Sequence, residues 1–110
     1  MEPVLIYITC QDREQALEIG KKVVEARLAA CANVIDGVES IYCWQGQLQV
    51  DKEVVLIVKS RRDLLEELTN KVKSEHSYEV PCVVAAPIVG GNEDYLHWLD
   101  TETKSKAAKE

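Results

Sequence analysis

Apolar positions follow two rhythms along the chain, and the changes between them mark out its elements. Val4 to Thr9 is an unbroken apolar run rich in β-branched residues that ends at polar Gln11-Asp12, the pattern of a buried first strand. From Asp12 to Leu28 the spacing becomes helical. Ala16, Ile19, Gly20, Val23, Val24 and Leu28 recur with Arg13, Glu14, Lys21, Lys22 and Glu25 between them, which predicts an amphipathic helix. Asp12, alone or with Thr9, is placed to cap its first turn.

Ala32 to Trp44 is strand-like again, with Asp36-Gly37 predicting a bend or bulge, because glycine tolerates positive φ at little cost. Gln45-Gly46 is a turn. Strand character resumes at Gln47 and runs through Leu48 and Val50 to Lys59. Each arm of this hairpin exceeds ten residues, where a strand usually has roughly five or six. Its outer part, from about Tyr42 to Asp51, is expected to project beyond the sheet, and a two-stranded arm alone is marginal in water.

Ser60 with Asp63 predicts the capped start of a second helix, whose buried face is Leu64, Leu65, Leu68 and Val72 and which ends near Glu75. His76-Ser77-Tyr78-Glu79 is the loop out of it. Val80 to Val89 predicts a fourth strand, with Pro81 and Pro87 marking an edge or a terminus. After Gly90-Gly91, Asn92 caps a short third helix carrying Tyr95, Leu96, Trp98 and Leu99, and residues 104–110 form a polar tail expected to fray.

The order β-α-β, β-α-β is the split arrangement of an α+β domain, a four-stranded antiparallel sheet with two helices on one face. One domain over residues 1–103 is expected. The other sheet face should be polar if it meets water. It is not: Val54, Leu56 and Val58 point one way on the third strand while Val55 and Ile57 point the other, and Val83 and Ala85 alternate with Cys82, Val84 and Ala86 on the fourth. A short third helix cannot cover that face, so a partner subunit is the expected cover and the chain is expected to be a homo-oligomer.

Composition adds exclusions. A formal net charge of -6 over 110 residues gives nucleic acid or an anionic membrane nothing to attract it. The short apolar run near Met1, without a basic region, is neither a secretory h-region nor a membrane span, so a cytoplasmic protein is expected. Cys10, Cys31, Cys43 and Cys82 lie far apart without a CxxC pair and are read as buried reduced thiols.

Candidate chemistry is sparse. There are two histidines, no Gly-x-Ser-x-Gly and no Cys-His arrangement at a recognised spacing, so no enzyme is expected. Gly90-Gly91 lacks a phosphate-loop pattern and is read as a strand-to-helix turn. His76 ends a helix, where the dipole favours an imidazole; the same ring is also a candidate metal ligand. His97, beside Trp98, is read as surface or interface. Glu53 and Lys59 share one face of the third strand across Val55 and Ile57. Two readings stand for them: ionic pairing across the sheet or a subunit boundary, or the lining of a small-ligand cleft between subunits with Trp44, Tyr78 and Glu79.

Five blocks resemble the CutA divalent-cation tolerance proteins. Arg27-Leu28-Ala29-Ala30-Cys31-Ala32-Asn33 is similar to that family's R/K-L-A-A-C-x-N, and Ser40-Ile41-Tyr42-Cys43-Trp44-Gln45-Gly46 to its S-x-Y-x-W-x-G hairpin. Glu53-Val54 with Lys59, His76-Ser77-Tyr78-Glu79-Val80-Pro81 and Tyr95-Leu96-His97-Trp98 resemble its E-V-x(4)-K, H-x-Y-E/D-x-P and Y-L-x-W elements. The resemblance implies a ferredoxin-like fold, and a homotrimer with sheets turned inward and hairpin arms embracing neighbours. It also implies a metal response with weak binding of copper or another divalent cation. The family's copper-ligand positions fall here on Ile8, on Glu75 with His76, and on Cys82, so the implied metal residues are His76, Glu75 and Cys82, with Cys10 near by. The alternative is a trimeric sensor or scaffold that takes an anionic metabolite in its inter-subunit clefts.

Overall fold

The computed structural model describes residues 1–105. Its elements are β1 (Pro3–Cys10), α1 (Arg13–Glu25), β2 (Cys31–Trp44), β3 (Gln47–Arg61), a 3-10 turn (Arg62–Leu64), α2 (Leu65–Glu75), β4 (Val83–Pro87) and α3 (Glu93–Glu102). The sheet runs β2-β3-β1-β4 with every neighbouring pair antiparallel, which is the split α+β arrangement expected from the order of elements. Among the described residues no helix is long and apolar enough to cross a membrane.

Alternation along β1 builds the core. Ile6, Ile8 and Cys10 are fully buried, and they lie opposite Val58, Leu56 and Val54 of β3 on the face that receives the helices. Ala16, Ile19, Gly20 and Val23 of α1 pack onto that face with Leu68 and Val72 of α2. Gly20 sets how closely α1 approaches: a Cβ there would stand 3.3 Å from both Ala32 Cβ and Leu56 Cδ1. Asp12 caps α1 through Oδ1, which accepts the Gln15 N–H at 2.8 Å.

Four sequence expectations are corrected. Of the four cysteines expected to be buried only Cys10 is; Cys31 and Cys82 are half-buried, and Cys43 is exposed on the hairpin. The first helix ends at Glu25, because Arg27 turns left-handed at φ 60°; Leu28 is buried, but from the turn that follows. Ser60 caps nothing: it is a buried residue of β3 whose hydroxyl donates to the Leu28 carbonyl, and α2 begins after the 3-10 turn without a side-chain cap. The fourth strand is Val83–Pro87 alone. Pro81 has no N–H to offer a ladder, and Val89 is fully exposed.

β2 and β3 have 14 and 15 residues and form the long hairpin. Gln45 at φ 51° and Gly46 at φ 78° make a two-residue turn of the kind that suits strand twist, and the pairing slips between Ile35 and Val38 where Gly37 has φ 81°. The arm leaves the sheet with its apolar side chains in the open: Ile41 is 71% exposed, Leu48 69% and Val50 59%. On the second sheet face, α3 reaches only one end, where Tyr95 meets Lys59 and Leu99 is buried. Tyr7, Val84 and Ile35 on that face remain exposed. The tail is not loose at its start, since the Lys104 N–H donates to the Arg27 carbonyl at 2.9 Å; positions 106–110 lie outside the described residues.

Candidate functional site

The base of the arm brings together Glu53, Tyr78, Cys10 and Cys82. Glu53 lies on β3 just below the bulge and is buried. Its Oε2 accepts a hydrogen bond from the Tyr78 hydroxyl at 2.8 Å. Burial first, then this carboxylate, pushes the Tyr78 phenol well above its ordinary range. The same two causes, with Asp12 added, raise the Cys10 thiol to about 11, and burial followed by Glu53 raises Cys82. Two residues along β3, Asp51 accepts from the Tyr42 hydroxyl, which holds that phenol up as well. Tyr42 lies opposite Gln49, so the contact is diagonal across the hairpin.

His76 ends α2 and folds back onto β1. The Tyr78 N–H donates to its Nδ1 at 3.1 Å, so Nε2 carries the ring hydrogen and donates it to the Thr9 carbonyl at 2.8 Å. Both nitrogens are occupied. The ring also packs on Tyr78 with 4.6 Å between centroids. Glu75 points the other way, to α1, where Lys22 Nζ stands 2.6 Å from Oε1 and holds the carboxyl below its ordinary range.

The proposed cleft residues are only partly brought together within one chain. Glu53 and Tyr78 touch, and Glu79 is exposed on the same loop. Lys59 is six residues from Glu53 on one strand, roughly 20 Å away. Its ammonium binds Tyr95 instead, 3.2 Å from the hydroxyl and 5.1 Å from the ring centroid. Trp44 lies six residues beyond Val38, the partner of Glu53, and so is again roughly 20 Å off.

A family model described as CutA1 divalent ion tolerance protein matches residues 4–102. The chain belongs to the CutA1 divalent ion tolerance family. It is 46% identical to the divalent-cation tolerance protein CutA of Thermus thermophilus, over 94% of this chain and 99% of that one. It is 43% identical to the chloroplastic protein CutA of Arabidopsis thaliana over 93% of its own length, and spans only 56% of that relative. The crystal structure of CutA1 from Oryza sativa superposes with a TM-score of 0.94 at 40% identity, covering 96% of this chain and 97% of that one.

For a CutA1 family member the metal question comes first, and the residues present do not fit a metal ion within one chain. Among the described residues no three His, Cys, Asp or Glu side chains stand together as a metal-holding group. His76 would have to give up the Tyr78 amide, Glu75 is neutralised by Lys22, and Cys82 is held as a thiol by burial, whereas metals take the thiolate. Sequence reasoning singled out Glu53, Glu75, His76 and Tyr78. It missed Thr9 as the partner of His76, Lys22 as that of Glu75 and Tyr42 as that of Asp51, all joined by the fold or the hairpin register alone.

Proposed function

We propose that the chain acts in divalent-cation tolerance as a closed homotrimer, without catalysis, in the reducing cytoplasm. The observation that carries the reading is the exposure of the arm and second sheet face. Ile41, Leu48, Val50, Tyr7, Val84 and Trp44 are all exposed, and contiguous exposed apolar side chains mark contact surfaces. A ring of three that turns its sheets inward and lays each arm on a neighbour covers both. Four free cysteines support a reducing compartment. The reading without catalysis rests on the sequence, which has no Gly-x-Ser-x-Gly and no Cys-His arrangement at a recognised spacing.

The test is a charge placed on the arm. Ile41 faces Val50 across the hairpin, so Ile41→Glu with Val50→Lys makes an opposite-charge cross-strand pair that suits a β-hairpin but puts charge into the proposed contact. The account expects the molecular mass in solution to fall while the far-ultraviolet spectrum is kept. An unchanged mass removes the arm from the assembly.

A second reading has an observation of its own. Glu53 is a buried carboxylate already oriented by Tyr78; Lys59 and Trp44, distant along one chain, would have to come from a neighbouring copy to join it. A small ligand in the inter-subunit cleft is then the occupant, an anionic metabolite if Lys59 leads. Thermal shift with anionic metabolites and, separately, with copper and zinc discriminates: stabilisation by metals alone excludes the cleft ligand.

A further inference from the structure

The end of the chain is fastened by a clasp centred on a buried arginine. Arg61 is 7% exposed at the end of β3, and a desolvated guanidinium has to find partners. Asp63 takes it in a fork, with Nε to Oδ1 and Nη2 to Oδ2 both at 3.0 Å. Its remaining donors go to α3 and the residues after it: Asp100 Oδ1 at 3.4 Å, Thr103 Oγ1 at 3.3 Å and the Lys104 carbonyl at 2.9 Å. Lys104 is held at three points, since its N–H donates to the Arg27 carbonyl and its Nζ lies 2.6 Å from Glu67 on α2. Arg27 in turn donates to the Thr101 carbonyl at 2.7 Å.

Apolar attachment of the same helix is thin. Leu99 is fully buried and Leu96 half-buried, while Tyr95, His97 and Trp98 are exposed. Hydrogen bonds and ion pairs therefore carry an unusual share of what holds α3, and they are concentrated at its C-terminal end. At the other end, α3 covers Lys59 through Tyr95.

We propose that α3 is a latched strap: it detaches from the sheet as a unit when the Arg61–Lys104 clasp is loosened, and uncovers the Lys59 end of the second sheet face. Because the assembly reading assigns that face to subunit contacts, the latch also regulates the assembly surface. Such a segment belongs to the low-stability end of a fold, opening below the free energy of global unfolding.

Hydrogen exchange followed by mass spectrometry on the full chain tests it, at a concentration where light scattering has fixed the oligomeric state. In the wild type, amides of residues 93–102 exchange ahead of those in β1 and β3. Lys104→Gln speeds α3 by roughly two- to fivefold, and about 1 M salt, where screening shortens to about 3 Å, moves it in the same direction through the Lys104–Glu67 pair. β1 and β3 keep their rates. Exchange of α3 in step with β1 and β3, or indifference of α3 to both the variant and salt, overturns the strap. A monomer that still shows selective α3 opening sinks the trimer and leaves the strap standing.

Discussion

The Tyr78 hydroxyl donates to Glu53 Oε2 at 2.8 Å, which ties the loop after α2 to the base of the hairpin arm. Glu53 is 8% exposed, so the phenol satisfies a carboxylate that water barely reaches. Tyr78→Phe should cost about 1–3 kcal/mol in urea unfolding, the penalty of a buried acceptor left without its donor. Glu53→Gln keeps an acceptor for the phenol, and should cost less than Tyr78→Phe. An unaltered midpoint for Tyr78→Phe contradicts this role.

Thiol reactivity should be ordered by environment. Cys43 is exposed on the arm, whereas Cys10 is fully buried and raised to about 11 by burial, Glu53 and Asp12. Thiolate is the reactive form. With an aromatic disulfide reagent at pH 8, Cys10 should stay silent until the chain unfolds. Early labelling of Cys10, read by peptide mapping, runs against the packing described.

Glu75 gives a pH dependence of definite sign. Lys22 lowers its folded value below the ordinary 4.5, so the unfolded chain takes up the proton first. The stability it contributes is complete above the ordinary value and is lost as pH falls through the lowered one. Thermal melts from pH 6 to pH 3 should show that loss, and Lys22→Met should flatten part of it. An identical pH profile in the variant removes the pair from the account.

The commitment of both His76 nitrogens predicts that His76→Ala leaves divalent-cation binding unchanged. Anaerobic titration with copper and zinc measures it. Loss of a stoichiometric site in the variant would mean the ring releases the Tyr78 amide to bind metal.

Close packing at Gly20 predicts that Gly20→Val is destabilising, by about 1–3 kcal/mol, because Ala32 Cβ rides on the sheet backbone and cannot retreat. Chemical denaturation measures the cost. A neutral result would show that α1 can lift away from the sheet.

Elements were legible where local chemistry decides them. Gln45-Gly46 and Asp36-Gly37 announce the turn and the bulge, and Asp12 announces α1. The end of α1 was not legible, since a non-glycine residue, Arg27, takes the left-handed conformation there. Ser60 looks like a cap because its real partner, the Leu28 carbonyl, is 32 residues away. The same limit governs the site. Glu53, Tyr78 and His76 stand out by type and pattern, yet Lys22 on Glu75 and Thr9 on His76 arise from packing of distant elements. A six-residue step along the strand from Glu53 to Lys59 already separates them by roughly 20 Å, a distance the shared face alone conceals.

Assembly is the central claim, and the mass of the wild-type chain by size-exclusion chromatography with light scattering tests it most directly. The account predicts three times the chain mass, constant across a hundredfold dilution. A monomer or dimer mass would contradict it.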